Sequence, residues 1–184
     1  MSFGHERANK ENRLADTQIL VNYRDSAWIK DASGSRHKNA VRAGDRAPDA
    51  DGLRRDHVGF SFRLFDLLRG TDHVLIVYLW RGRIRERARE VEALARDLAD
   101  AYGRLVRVVA VAAEGADASE IVGATLVRDA AKAFARAYAA RSGLMCVMRP
   151  DGYIAYLGNA SDRDALFAFL EGALGRPAAK TPTC

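Results

Sequence analysis

"LIVYLWRGRIRERARE", residues 75–90, passes from a block of six apolar residues straight into an arginine-rich stretch patterned for a helix. With His73 and Val74 in front, the apolar run becomes "HVLIVYLW" (73–80), too continuous for a strand wetted on one side. Such a run marks a strand buried on both faces of a covered sheet. The stretch that follows, "RIRERAREVEALARDLADAY" (83–102), sets Ile84, Ala88, Val91, Ala95, Leu98 and Tyr102 on one stripe. Steps of four and three residues make that stripe an amphipathic helix, and Gly103 is placed to stop it. "RLVRVVAVAA" (104–113) then supplies a second buried strand. A strand, a crossover helix and a strand form a βαβ unit, which predicts parallel strands and a right-handed connection.

Outward from this unit the pattern stays regular towards the C-terminus. "GADASEIVGA" (115–124) reads as a loop with one helical turn, and "RDAAKAFARAYAARSG" (128–143) as a helix turning Ala130, Phe134 and Tyr138 inward. "LMCVM" (144–148) and "YIAYLG" (153–158) flank "RPDG", where Pro presets φ and Gly relieves crowding in a tight turn. The two runs should pair as a hairpin. "SDRDALFAFLEGALG" (161–175) opens with Ser161 and Asp164 in capping-box spacing and carries Leu166, Phe167, Leu170, Ala173 and Leu174 inward. Before residue 73, "FRLFDLLRG" (62–70) predicts a short helix ended by Gly70, and "QILVNY" (18–23) a strand. Between them, "RDSAWIKDASGSRHKNAVRAGDRAPDADG" (24–52) is rich in turn residues. The expected organisation is an N-terminal arm or linker over 1–40, one globular domain over 41–176 and a flexible tail over 177–184.

Composition narrows the function classes. The 184 residues carry 29 basic and 24 acidic side chains, a net charge of +5. Many of the arginines alternate with Glu or Asp, as in "RERAREVEALARDLAD", like a solvated helix face laced with local ion pairs, so nucleic-acid binding is not expected. No window approaches the roughly 18 apolar residues of a membrane span, and the charged first twenty residues lack the apolar core of a secretory signal. A cytoplasmic, bacterium-like setting is expected, the latter from heavy Arg and Ala usage. Cys146 and Cys184 are the two cysteines; they form no CxxC motif, and Cys146 sits inside an apolar run where a small buried hydrophobe is the default. His5, His37, His57 and His73 are scattered with no metal-ligand spacing, and neither GxGxxG nor GxxxxGK[ST] occurs. "AGDRAPD" (43–49) reads as the turn leading into the domain rather than as a flavin contact. Tyr23, Arg24, Ser26 and Trp28 form a cluster that reads equally as a docking segment or as an edge packed on the core.

One mixed, four-stranded sheet with helices on both faces satisfies every apolar face, and that is the layout of a thioredoxin-like fold, a three-layer α/β architecture. A redox protein of this kind needs a thiolate at the start of the helix after the first buried strand, where the helix dipole lowers its pKa. Here Arg81, Gly82, Arg83 and Ile84 occupy that junction, and no cysteine precedes Cys146. Nor does a proline fall between Pro48 and Pro150, where a cis-proline usually faces the thiol.

The strings "QILVNYRDSAWI", "AGDRAPDA", "RLFDLLRG", "LVRDAAKAFARAYAARSG" and "MRPDGYIAYLG" follow one another as in the C-terminal region of FAD-dependent aromatic-ring hydroxylases, the class A flavoprotein monooxygenases acting on phenols and polyketide-like aromatics. The chain resembles that region over about residues 18–175. The matching positions are Gly44, Asp45, Ala47 and Pro48, with Arg149, Pro150, Asp151, Gly152 and Tyr153 at the hairpin turn. The resemblance implies a thioredoxin-like domain without redox cysteines, with FAD held on a missing or separate domain. It carries over no catalytic, cofactor-binding or metal-binding residue. The expectation is a non-catalytic structural or interaction module, with a flavoprotein hydroxylase or a second copy as partner and no membrane. The alternatives are a part or subunit of an FAD-dependent aromatic monooxygenase, and a divergent peroxiredoxin-like oxidoreductase using Cys146.

Overall fold

The computed structural model describes residues 22–24, 26–34, 41–56, 58–80, 82–116, 120–140 and 143–176. The expected strand at 18–23 lies outside the described residues up to residue 21, as do Arg81, Cys184, three of the histidines and the tail from 177. Seven strands form a single sheet, β1 (Lys30–Asp31), β2 (Leu53–Arg54), β3 (His73–Leu79), β4 (Val106–Ala113), β5 (Ala124–Asp129), β6 (Leu144–Met148) and β7 (Ile154–Asn159), in the order β1-β7-β6-β3-β4-β5-β2. Among the described residues four α-helices accompany it: α1 (Leu64–Leu67), α2 (Ile84–Tyr102), α3 (Ala133–Ala137) and α4 (Arg163–Leu174).

The four strands foreseen from sequence are contiguous at the centre, as β7-β6-β3-β4. β3 runs parallel to β4 across the α2 crossover, and β6 pairs antiparallel with both β3 and β7. In β3 the two-residue period divides the apolar run between the faces. Leu75, Val77 and Leu79 join one core with α2 and α4, whereas Val74, Ile76 and Tyr78 join another with α1 and α3. Both faces are covered, so a continuous apolar run is what this strand requires. Of the stripe expected on α2, Ile84, Val91, Ala95, Leu98 and Tyr102 are buried and Ala88 is partly buried, and Leu94 joins them. The hairpin closes as expected, the Gly152 amide donating to the Arg149 carbonyl at 2.9 Å.

Three expectations need correction. Among the described residues the sheet has seven strands rather than four: the short β1 and β2 add to its edges, and β5 lies beside β4 where a loop and the start of a helix are expected. α3 is correspondingly short: the chain leaves β5 at Asp129, and Lys132 takes a left-handed φ of 53° before the helix begins. α4 starts one residue later than its proposed cap. Asp162 is the N-cap, accepting the Ala165 amide at 3.2 Å, while Ser161 donates its amide and hydroxyl to Asn159. Phe169 replaces Phe167 among the fully buried positions of that helix.

Residues 22–34, within the segment assigned to the arm, lie against this sheet. Lys30 and Asp31 pair in parallel with Tyr156 and Leu157, and the Ala32 amide donates to the Leu157 carbonyl. Such a two-residue strand is fixed by its partner and has too few residues to show a periodic pattern of its own.

Arg107 on β4 ties the start of β3 to the end of α1. It donates to Asp72 at 2.6 Å and to the Leu67 carbonyl at 2.9 Å. The Arg107 hydrogen bond holds the Asp72 carboxyl below the usual carboxylate range, outweighing the opposing effect of burial. Because the folded-state pKa lies below the unfolded one, this contribution is complete above the unfolded value of about 3.9 and fades as pH falls through the folded value. Acid unfolding followed by circular dichroism should therefore show the stability gap between wild type and Arg107→Met narrowing as pH falls through the folded-state value. A gap that stays constant down to pH 2 would mean Asp72 is not the group being titrated.

Candidate functional site

The end of β3 is where this architecture would carry reactive chemistry, because backbone N–H groups at a following helix start can stabilise an anion. Trp80 there is half-exposed, with its ring 6.3 Å from that of Tyr78. Gly82 and Arg83 follow, and Arg83, in a left-handed conformation, caps α2 without a side-chain hydrogen bond to the helix. Its guanidinium pairs instead with Glu86 at 3.2 Å. None of these side chains is a nucleophile.

Cys146 lies mid-strand in β6, opposite Ile76 on one side and Leu157 on the other, with no exposed surface. Burial pushes its thiol pKa far up, which keeps sulfur protonated and unreactive. It packs in the core beneath α1 and α3. Among the described residues no cluster of three or more His, Cys, Asp or Glu is arranged to hold a metal ion. No described helix is long and apolar enough to cross a membrane.

The two strings that carry the family resemblance, far apart in sequence, meet in space. Arg46 bridges Tyr153 in antiparallel fashion, and Asp45 accepts the Ile154 amide at 2.9 Å. Ala47 is buried and donates its amide to Gly152, while the Pro48 carbonyl accepts the Tyr138 hydroxyl at 2.7 Å. Arg149 bonds Asp151 across the turn, and Pro150 stands exposed at its tip. Gly152 has a φ of 83°, and a Cβ there would sit 3.1 Å from the Phe65 ring. These residues are a structural clasp, with backbone bonds doing most of the joining.

Tyr23 and Arg24 belong to the same clasp. The Tyr23 ring meets Tyr153 edge-on at 4.9 Å and lies under the Arg149 guanidinium at 5.3 Å. Arg24 pairs with Asp45 at 2.6 Å. Ser26 accepts the Trp28 amide in a local turn, and Trp28 itself is 58% exposed. The cluster therefore divides: Tyr23 and Arg24 pack on the domain, and Trp28 faces outward. No periodicity marks the pairing of its packing half, "YR" (23–24), with "GD" (44–45), which lies 21 residues further on.

Gly44 makes the clasp possible. Its φ is 92°, and a Cβ would fall 2.5 Å from the Arg24 backbone nitrogen. Gly44→Ala should cost about 1–3 kcal/mol through backbone strain and the displaced segment. Thermal melts check the loss, and limited proteolysis should open first within residues 22–34. Unchanged melting and proteolysis would show that the segment is not held here.

No family model matches the chain, and no curated protein matches it in sequence. Similarity in structure is broader. The chain superposes on the thioredoxin domain of a thiol-disulfide oxidoreductase from Bacteroides vulgatus with a TM-score of 0.51 and 17% identity, covering 71% of this chain and 99% of that one. The fold is thioredoxin-like. A peroxiredoxin-like protein from Aquifex aeolicus matches with a TM-score of 0.55 at 14% identity, over 72% of this chain and 88% of that one. The flavin-dependent monooxygenase PieE, solved with FAD and substrate, matches with a TM-score of 0.54 at 18% identity over 85% of this chain. This chain spans only 26% of that monooxygenase. At these identities the likeness establishes the thioredoxin-like fold and nothing finer.

Proposed function

We propose that the chain is a non-catalytic, thioredoxin-like structural and interaction module of the kind its sequence resembles in FAD-dependent aromatic-ring hydroxylases. It works in the cytoplasm by docking to a flavoprotein that holds the FAD, as a part or subunit of the monooxygenase, and self-association through the same surfaces is its second mode. The carrying observation is chemical: the junction after β3 holds Trp80, Gly82 and Arg83, while Cys146 is sealed in the core. Thiol-disulfide exchange and peroxide reduction both begin with an accessible thiolate. The fold match to part of a flavin-dependent monooxygenase supports the choice of partner. A peroxiredoxin-like role for Cys146 is disfavoured by its burial and its raised pKa.

The test is co-expression with a flavoprotein aromatic-ring hydroxylase from the same genome, followed by size-exclusion chromatography with absorbance at about 450 nm. A yellow complex with a colourless free chain supports the proposal. Stoichiometric FAD on the isolated chain, or two components that elute separately at micromolar concentration, would overturn it.

A further inference from the structure

Beyond docking, the face formed by α2 and α4 carries a groove with the makings of a ligand site. It is a half-open depression of about 940 Å³ between the first turns of α2 and the loop from β7 into α4. That volume falls within the range of about 300–1,000 Å³ typical of small-molecule sites. Its position is also that of a binding crevice. β3 and β7 each run antiparallel to β6, so their carboxyl ends lie at the same end of the sheet. Ligands of open α/β sheets collect outside such strand ends.

The lining has two characters. Val91, Leu94 and Ala160 make an apolar floor, and Arg85, Arg89 and Arg163 stand among the groove's charged residues. Its four arginines outnumber its two glutamates, and those glutamates are already engaged, Glu86 with Arg83 and Glu90 with Arg87. Arg163 pairs with Asp97. Arg89 is exposed and makes no hydrogen bond or ion pair with the described residues.

A second observation comes from below. Tyr156 on β7 is fully buried, yet its hydroxyl has no hydrogen-bond partner among the described residues. A buried hydroxyl without a partner is costly, about 1–3 kcal/mol, and asks for a polar group to complete it. The hydroxyl points along β7 towards its carboxyl end, where it lies over Gly158; a Cβ on that residue would come within 2.5 Å of it. It lies near the loop that carries Ala160 and Ser161 at the groove's edge, without itself lining the groove.

We propose that this groove binds a small amphipathic anion. The anionic head meets Arg89 and its neighbouring arginines, and the apolar body lies on Val91, Leu94 and Ala160. Charge selects the head, because an anion completes Arg89 whereas a neutral molecule of the same shape leaves it as it was.

The probe is 8-anilinonaphthalene-1-sulfonate, with its neutral counterpart N-phenyl-1-naphthylamine as control, titrated by fluorescence into the full chain. The sulfonate should bind with one-to-one stoichiometry and at least about tenfold more tightly than the neutral probe. Arg89→Glu should weaken it about tenfold while the thermal melt stays cooperative and unshifted, and Arg89→Lys should recover part of the loss. Amide chemical-shift changes in the wild-type protein should centre on residues 85–94 and 160–163. Equal affinity for the two probes, an unaltered affinity in Arg89→Glu, or shifts centred elsewhere would each overturn the proposal.

Discussion

Asp129→Ala should lower stability by about 3 kcal/mol, the largest effect expected of any change to a polar side chain in this protein. Asp129 is the one fully buried charged residue among those described. It ends β5, and its two carboxylate oxygens accept the amides of Phe134 at 3.1 Å and Ala135 at 2.8 Å. Its own carbonyl accepts the Lys132 amide, so a single residue closes the turn from strand to helix. Alanine would leave two amides without acceptors at the start of α3. For a chain of this size, about 3 kcal/mol corresponds to a fall in Tm of about 6–12 °C. Asn keeps one acceptor oxygen, and Asp129→Asn should lose roughly half as much. A thermal melt of Asp129→Ala within 2 °C of wild type would show that these bonds contribute little.

Phe134→Ala should be comparably severe, at about 4 kcal/mol, for a different reason. Phe134 has no exposed surface, and its ring stacks on Tyr138 at 4.3 Å and on Tyr78 at 5.8 Å. The column joins α3 to the central strand, and the Tyr138 hydroxyl fastens it to the Pro48 carbonyl. Removing the middle ring leaves a cavity whose walls are held from both sides and cannot collapse easily, the condition under which large-to-small substitutions cost most. Phe134→Leu, which keeps most of the volume, should cost less than half as much. Urea denaturation reads both values directly. A loss below about 1.5 kcal/mol for Phe134→Ala would mean the aromatic column is not packed as described.

These two residues also show where the sequence was legible. Phe134 and Tyr138, four apart, are both buried as their spacing predicts, although Tyr138 caps α3 rather than lying within it. Asp129 was read as part of that helix, because "RDAAKAFARA" has helical composition from its first residue. The structure ends a strand there, since Val127 and Asp129 point inward two residues apart while Arg128 turns out to meet Asp56. Six residues that only half obey a two-residue period give a weak signal beside an alanine-rich run. The central strands were legible because burial on both faces leaves long unbroken apolar runs. β1 and β2 were not, because pairing across the chain makes them and their own composition does not.

The candidate site follows the same division. Absence of a thiol at the junction after β3 can be read from the letters alone. That Cys146 is shut inside the sheet follows from the apolar run around it. The clasp between Gly44–Pro48 and Arg149–Tyr153 could be named from resemblance, but its contacts depend on an antiparallel bridge between a loop and a turn far apart in sequence. The α2–α4 groove had no sequence signature, because its arginines are spread over a helix and a distant loop and read locally as a solvated face.

The central claim is that this thioredoxin-like scaffold performs no thiol chemistry, and turnover by the purified full chain tests it most directly. Insulin-disulfide reduction with dithiothreitol and consumption of hydrogen peroxide should both proceed at the rate of buffer alone. In a Cys184→Ser background, Cys146 should resist 5,5′-dithiobis(2-nitrobenzoate) until denaturant unfolds the protein. Turnover above background that disappears in Cys146→Ala or Cys184→Ser would contradict the account.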